Sequence, residues 1–214
     1  MQRSDSFLLS ALLSFSGGLQ DAYTYMVRGK VFANAQTGNV VLMSQNLMRG
    51  QWILSLYYLC PLLSFALGVF VAERIENRFK ENRPLHWRQI ILLIEMAVLA
   101  LVGLLSNRFD MVANMLVSFS CAMQVQSFRK VQGYGYASTM CIGNIRSGTE
   151  SLSQYFRSRD KMALRKALNL FGIILIFAIG AGIGGILSGV FGIRTIWISV
   201  AFLFIVTIMM IKEK

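Results

Sequence analysis

Two acidic residues lie inside otherwise apolar runs of this chain, and a carboxylate in such a place can bind a proton or a cation. Asp21 follows Gly17-Gly18 in the first run, and Glu95 is the only acidic side chain in the third. A charged side chain within a membrane span costs roughly 2.5–3.5 kcal/mol on insertion scales, so it faces a bundle interior or a wet cavity. Glu95 falls about eight residues into its run, or roughly 12 Å at the helical rise. Each acid also has a structural reading. Asp21 would pair with Arg28 or cap a short helix, and Glu95 would be a hydrogen-bonded bridge between helices.

Two polar segments carry a similar small motif, Thr37-Gly38-Asn39 and Ile142-Gly143-Asn144. The stretch from Val31 to Asn39 is too polar for a lipid-facing span and too apolar for an ordinary exposed loop. A re-entrant or interfacial segment satisfies both, provided it is buried in protein or lines a cavity. Thr37 is a candidate cap for a short helix over Val40–Leu47. Free amides at that helix start would favour an anion or a polar solute. The second segment runs Ser138-Thr139-Met140-Cys141-Ile142-Gly143-Asn144, with Arg146 and Glu150 following at i,i+4 spacing. Tight turns are the alternative, since Gly-Asn is common in them. Gln124 and Gln126, near the end of the fourth run, mirror Gln20 and Asp21 in the first. The candidate substrate- or ion-binding set is therefore Asp21, Asn34, Thr37, Gly38, Asn39, Glu95, Gln126, Gly143 and Asn144.

Other chemistries find little support. Cys60, Cys121 and Cys141 lack metal-ligand spacing, and His86 is the one histidine, so no zinc site, Cys-His pair or disulfide framework is expected. The runs hold no Ser/His, His-rich or paired-aspartate motif, which argues against an enzyme. An intramembrane enzyme acting on lipid-linked substrates would have to use Asp21, Glu95 or Arg146. No cofactor is expected.

The elements that must position these residues follow from composition. The 214 residues are 55% hydrophobic and 14% charged, with mean hydropathy +0.56. A soluble domain would be nearer a quarter charged. Six apolar runs, at 6–27, 52–73, 87–106, 109–127, 168–190 and 194–212, approach the roughly 20 residues a bilayer-spanning helix needs. The net charge of +11 is unevenly placed. With a cytoplasmic N-terminus, Arg3, the cluster from Arg74 to Arg88, the basic residues from Arg129 to Lys166, and Lys212 and Lys214 share one side. The other side keeps Arg28, Lys30, Arg49, Arg108 and Arg194. That asymmetry predicts both termini in the cytoplasm and a lipid bilayer, not nucleic acid, as the partner. A cleaved signal peptide is disfavoured, because no convincing small-x-small site precedes Gly17.

Long connections follow the first and fourth runs, and short ones follow the third and fifth. This divides one polytopic domain, 1–214, into two units of three spans, about 6–106 and 109–212. Because three is odd, the second unit would be inverted. A shift of 105 places Gly38-Asn39 on Gly143-Asn144, Asp21 on Gln126 and Ser44 on Thr149. Ser64, Gly68 and Ala72 in the second run, and Gly180-Gly184 and Gly185-Gly189 in the fifth, form small-residue grooves suited to close helix packing. Pro61 is a candidate kink.

The run Gly17-Gly18-Leu19-Gln20-Asp21-Ala22-Tyr23-Thr24-Tyr25, then Val31-Phe32-Ala33-Asn34-Ala35-Gln36-Thr37-Gly38-Asn39, resembles the hallmark of the YoaK-type bacterial membrane proteins, domain of unknown function 1275. The pattern there reads G-x-x-D-A-x-x-Y, then F-x-x-N-x-T-G-N. Gly18, Asp21, Ala22, Tyr25, Phe32, Asn34, Thr37, Gly38 and Asn39 fall on it. The second half departs, with Ile142 where a twin would carry Thr. The resemblance covers essentially the whole chain and implies a six-span protein of the bacterial inner membrane. The expectation is an all-α protein of two inverted three-helix repeats with short re-entrant or interfacial helices. It would transport a small solute whose identity the sequence does not give, with proton coupling by Asp21 or Glu95. A homodimer and a non-transporting assembly or sensor protein are further readings.

Overall fold

A computed structural model describes residues 5–80 and 86–211. Arg3, Arg83, Lys212 and Lys214, which entered the charge count, lie outside the described residues. Eight α-helices are seen: α1 (Phe7–Val27), α2 (Gln36–Met48), α3 (Trp52–Phe79), α4 (Trp87–Val102), α5 (Asp110–Ser127), α6 (Cys141–Ser158), α7 (Lys161–Phe191) and α8 (Ile196–Ile211). The all-α expectation holds, with a minor addition. Strands β1 (Lys130–Val131) and β2 (Tyr134–Gly135) form a small antiparallel hairpin. Gln132 and Gly133 turn it with φ of 49° and 84°, the sign pattern that suits strand twist in two-residue loops.

Six helices fall on the six apolar runs, and α2 and α6 are the extra helices; α2 is short at 13 residues, but α6, at 18, is longer than α4 or α8. By length and hydropathy alone, α3 and the stretch from α7 through α8 qualify as membrane spans. α3 and α7, of 28 and 31 residues, extend about 42 and 46 Å. α4 and α8 have only 16 residues each, about 24 Å. α1 and α5 carry the serines, glutamines and asparagines that lower mean hydropathy, and those side chains point inward.

Local signals set the helix starts. Ser6 accepts the Leu9 amide at 3.3 Å to open α1, and Asp160 accepts that of Met162 at 2.8 Å to open α7. His86 and Gln89 close a reciprocal capping box on α4. α3 runs unbroken through Pro61.

The packing is regular. α1 lies along α7, and α5 lies along α3. α2 rests on α3, and α6 rests on α7. α8 meets α1, α4 meets α5, and α4 and α8 meet each other. Two contacts explain how close the long pairs come. A Cβ on Gly68 would collide with the backbone of Phe119 in α5, and one on Gly180 with the backbone of Phe15 in α1. The grooves through Gly68 and Gly180-Gly184 are thus packing surfaces. Gly189 instead faces open space, as does Gly185.

Polarity is inverted relative to a soluble protein. Ser10, Ser14, Ser16, Gln20, Asn114 and Ser118 are fully buried, while Leu63, Leu67 and Phe70 on α3 and Leu175, Ile186 and Val190 on α7 are exposed. Water would penalise such a surface, whereas hydrocarbon does not.

Candidate functional site

The site begins with two asparagines. Asn39, in the second turn of α2, accepts the Phe32 amide on Oδ1 at 3.3 Å and donates through Nδ2 to the Phe32 carbonyl at 2.7 Å. Asn144, at the same place in α6, accepts the Ala137 amide at 3.2 Å and donates to the Ala137 carbonyl at 2.7 Å. Each clasp folds an extended lead-in back on the helix it precedes and satisfies backbone groups that hydrocarbon could not. Each spans seven residues, and both obey the shift of 105 that aligns the two motifs. The helix starts, Gln36 and Cys141, obey it as well.

Different side chains pin the two lead-ins to the long helices. Asp21 Oδ1 accepts the Asn34 amide at 2.7 Å, and Asn34 Nδ2 donates to the Gly17 carbonyl at 3.3 Å. The amides of Ala33 and Ala35 also lie close to the Asp21 carboxylate. Asp21 therefore anchors the lead-in through the amide just before the N-cap residue of α2, and the expected pairing with Arg28 is not formed, because Arg28 is bonded to Asp110. Thr37 does not cap α2: the N-cap position is Ala35, without a side-chain bond. In the second lead-in, Gln124 Nε2 donates to Ser138 Oγ at 3.0 Å and to the Leu13 carbonyl at 3.4 Å.

Between the lead-ins lies a cavity of about 950 Å³. Asp21, Asn34 and Thr37 line it from one side, and Thr139, Gly143 and Asn144 from the other. Tyr25, Phe32 and Phe177 supply aromatic wall. Burial pushes the Tyr136 phenol at its edge upward from its ordinary value. Burial also raises the Cys141 thiol, and the nearby Asp21 charge adds to that shift.

Four candidates lie off this wall. Gly38 packs against the Phe32 ring, Asn39 is spent in its clasp, and Gln126 is half-buried on α5. Glu95 is 0% exposed, and among the described residues its oxygens make no well-formed hydrogen bond, the Gln20 amide being the donor beside it. It adjoins a buried polar chain in which Cys121 donates to Gln20 Oε1 at 2.8 Å and Gln20 Nε2 donates to Ser16 Oγ at 3.1 Å. Gln20 and Cys121 are neighbours of Glu95, and Cys121 also neighbours Asp21 and Asn34. Among the described residues no cluster of side chains is arranged to hold a metal ion.

Sequence reasoning missed the role of Arg28. The side chain is fully buried and donates to Tyr23 Oη at 2.8 Å, Asp110 Oδ1 at 2.9 Å, and the Val102 and Leu105 carbonyls at 2.9 and 2.8 Å. It ties the end of α1 to α4 and α5. Asp110 is 82 residues away, and no local spacing announces such a pair.

An apolar exterior around a polar interior, with α3 and the stretch from α7 through α8 long and apolar enough to cross a bilayer, is the build of a helical membrane protein. Residues 9–209 match the family described as Protein of unknown function (DUF1275), and the chain belongs to that family. It is 25% identical over 205 residues to the UPF0700 transmembrane protein YoaK of Bacillus subtilis (strain 168), covering 92% of this chain and 90% of the relative. No solved structure matches.

Proposed function

We propose that this protein carries a small solute across the bacterial inner membrane through the cavity between its two clasped lead-ins. The observation that carries the reading is that one cavity of about 950 Å³ is walled by both of them. Its volume lies in the range of small-molecule sites. In this reading α1, α3, α4, α5, α7 and α8 cross the bilayer as two inverted three-helix units. The exchange of partners between α1 with α7 and α5 with α3 supports that arrangement, as do the two clasps at one register. α4 and α8 are short for the bilayer core, and adjoining polar turns and local thinning complete their crossing. The unequal distribution of basic residues supports cytoplasmic termini. The protein works as a carrier rather than an enzyme, needs no cofactor and binds no nucleic acid. Its partners are the bilayer and the solute, with a second copy of the chain to form a homodimer.

Coupling falls to the acids. Asp21 touches the cavity and anchors the first lead-in, and Glu95 is held in reserve behind Gln20 and Cys121. Alternating access would then move the lead-ins relative to the long helices around a central site. The test is solid-supported-membrane electrophysiology on reconstituted protein, with pooled anions, cations, amino acids and sugars, with and without a pH gradient. A solute-dependent current that is lost in Asp21→Asn or Glu95→Gln, with both variants folded, is the expected result. Absence of both current and tracer uptake for every pool would overturn it.

A further inference from the structure

Resting on that transporter reading, we propose that the cavity takes a small zwitterion with an apolar body, an apolar α-amino acid being the simplest case. The carboxylate sits on the first turn of α6, and the ammonium faces Asp21 and Asn34. The two helix starts at the cavity differ in a way that asks for this. The approach to α2 already has its anion, because Asp21 accepts the Asn34 amide. α6 has none. Its N-cap residue, Met140, makes no side-chain bond, and the amides of Cys141, Ile142 and Gly143 meet no acceptor among the described residues. An 18-residue helix with an open start attracts a carboxylate.

A second observation points to a ligand at the same spot. Thr139, only 6% exposed, is on the cavity wall, and its buried Oγ1 has no partner among the described residues. The opposite pole is an acceptor. Asn34, 4% exposed, lines the wall beside Asp21, and its buried Oδ1 has no partner among the described residues. The poles are close together. Asn34 Nδ2 bonds the Gly17 carbonyl at 3.3 Å, and the Thr139 methyl sits where a Cβ on Gly17 would be. Phe32, Met140, Phe177 and Ala181 provide apolar wall for the amino acid's side chain. An anion without an amine would leave Asn34 Oδ1 unpaired and face the Asp21 charge. A cation without a carboxylate would leave Thr139 and the α6 amides unpaired.

Binding to the full-length protein in detergent, by calorimetry and thermal shift, tests this. L-Leucine is compared with 4-methylpentanoate, which lacks the amine, and 3-methylbutylamine, which lacks the carboxylate. Leucine should bind, and each analogue should lose about tenfold or more, as expected for a buried polar group left unpaired. Met140→Asp places a capping carboxylate on α6. It should keep or raise the melting temperature while abolishing leucine binding. Equal binding by either analogue, unchanged leucine binding in Met140→Asp, or no binding of leucine or phenylalanine to folded protein would overturn the inference. Because no membrane is involved, leucine binding without transport would strike only the transporter reading. Transport of another solute by protein that binds no amino acid would strike only this one.

Discussion

The lead-ins to α2 and α6 are built on one frame and furnished differently. Both end in an asparagine clasp with nearly the same bond lengths, and both face one cavity. The first is fixed by a carboxylate on a backbone amide, the second by a neutral amide on a hydroxyl. The second also carries the extra hairpin β1–β2, whose Gln132 amide donates to the Asp5 carbonyl at 2.6 Å. α2 has no charged residue, whereas α6 carries Arg146, Glu150 and Arg157. The comparison teaches that one clasp frame is built twice while a carboxylate anchor is built once.

Breaking the shared frame should have the largest effect. Gly68→Leu and Gly180→Leu each drive a side chain into a facing helix backbone, and overpacking of this kind costs about 1–3 kcal/mol or more. Both should give little monodisperse protein by size-exclusion chromatography, and a large disparity between them would break the equivalence of the two long-helix pairs. Next come Asn39→Ala and Asn144→Ala. Each strands a backbone N–H and C=O, at about 1–3 kcal/mol per group when buried. Similar losses of thermal stability in detergent are expected, and a loss in one alone would show that only one clasp supports the fold.

The furnishing is probed by Asp21→Asn against Gln124→Met. Removing the charge-assisted contact should cost about 1–2 kcal/mol and speed hydrogen exchange around 32–40, leaving α6 unaffected. Gln124→Met should do the reverse, at about 1 kcal/mol. Exchange that rises in both segments in either variant would mean the anchors are not separate. The smallest effect belongs to Glu95→Gln. Burying a carboxylate without partners is costly, and Gln keeps the volume, so the melting temperature should hold or rise. A clear fall would show that the carboxylate itself is bonded in the folded protein.

Much of this frame could be read in the sequence because its parts are local. The clasp spans seven residues, so Gly38-Asn39 and Gly143-Asn144 mark it at both places. The same shift predicted where α2 and α6 would correspond. Ile142 in place of Thr37 looked like a defect, yet it is 78% exposed and takes no part in the clasp. The Thr37 cap was misplaced because the N-cap position falls two residues earlier, at Ala35, and an acid on α1 meets the amides leading into the helix. What escaped was long-range. Arg28 read as a charge on one face, but it is buried on Asp110 and two carbonyls from distant segments. Glu95 was correctly put inside, but nothing in the spacing distinguished a bonded glutamate from an unpartnered one.

The clasps bear on how such a chain enters a bilayer during synthesis. Phe32 and Asn39, like Ala137 and Asn144, are joined by only seven peptide steps, so each loop can close on itself before any distant helix has emerged from the ribosome. A loop tied this early has its polar main-chain groups already paired when the neighbouring helices arrive, so that pairing does not depend on them.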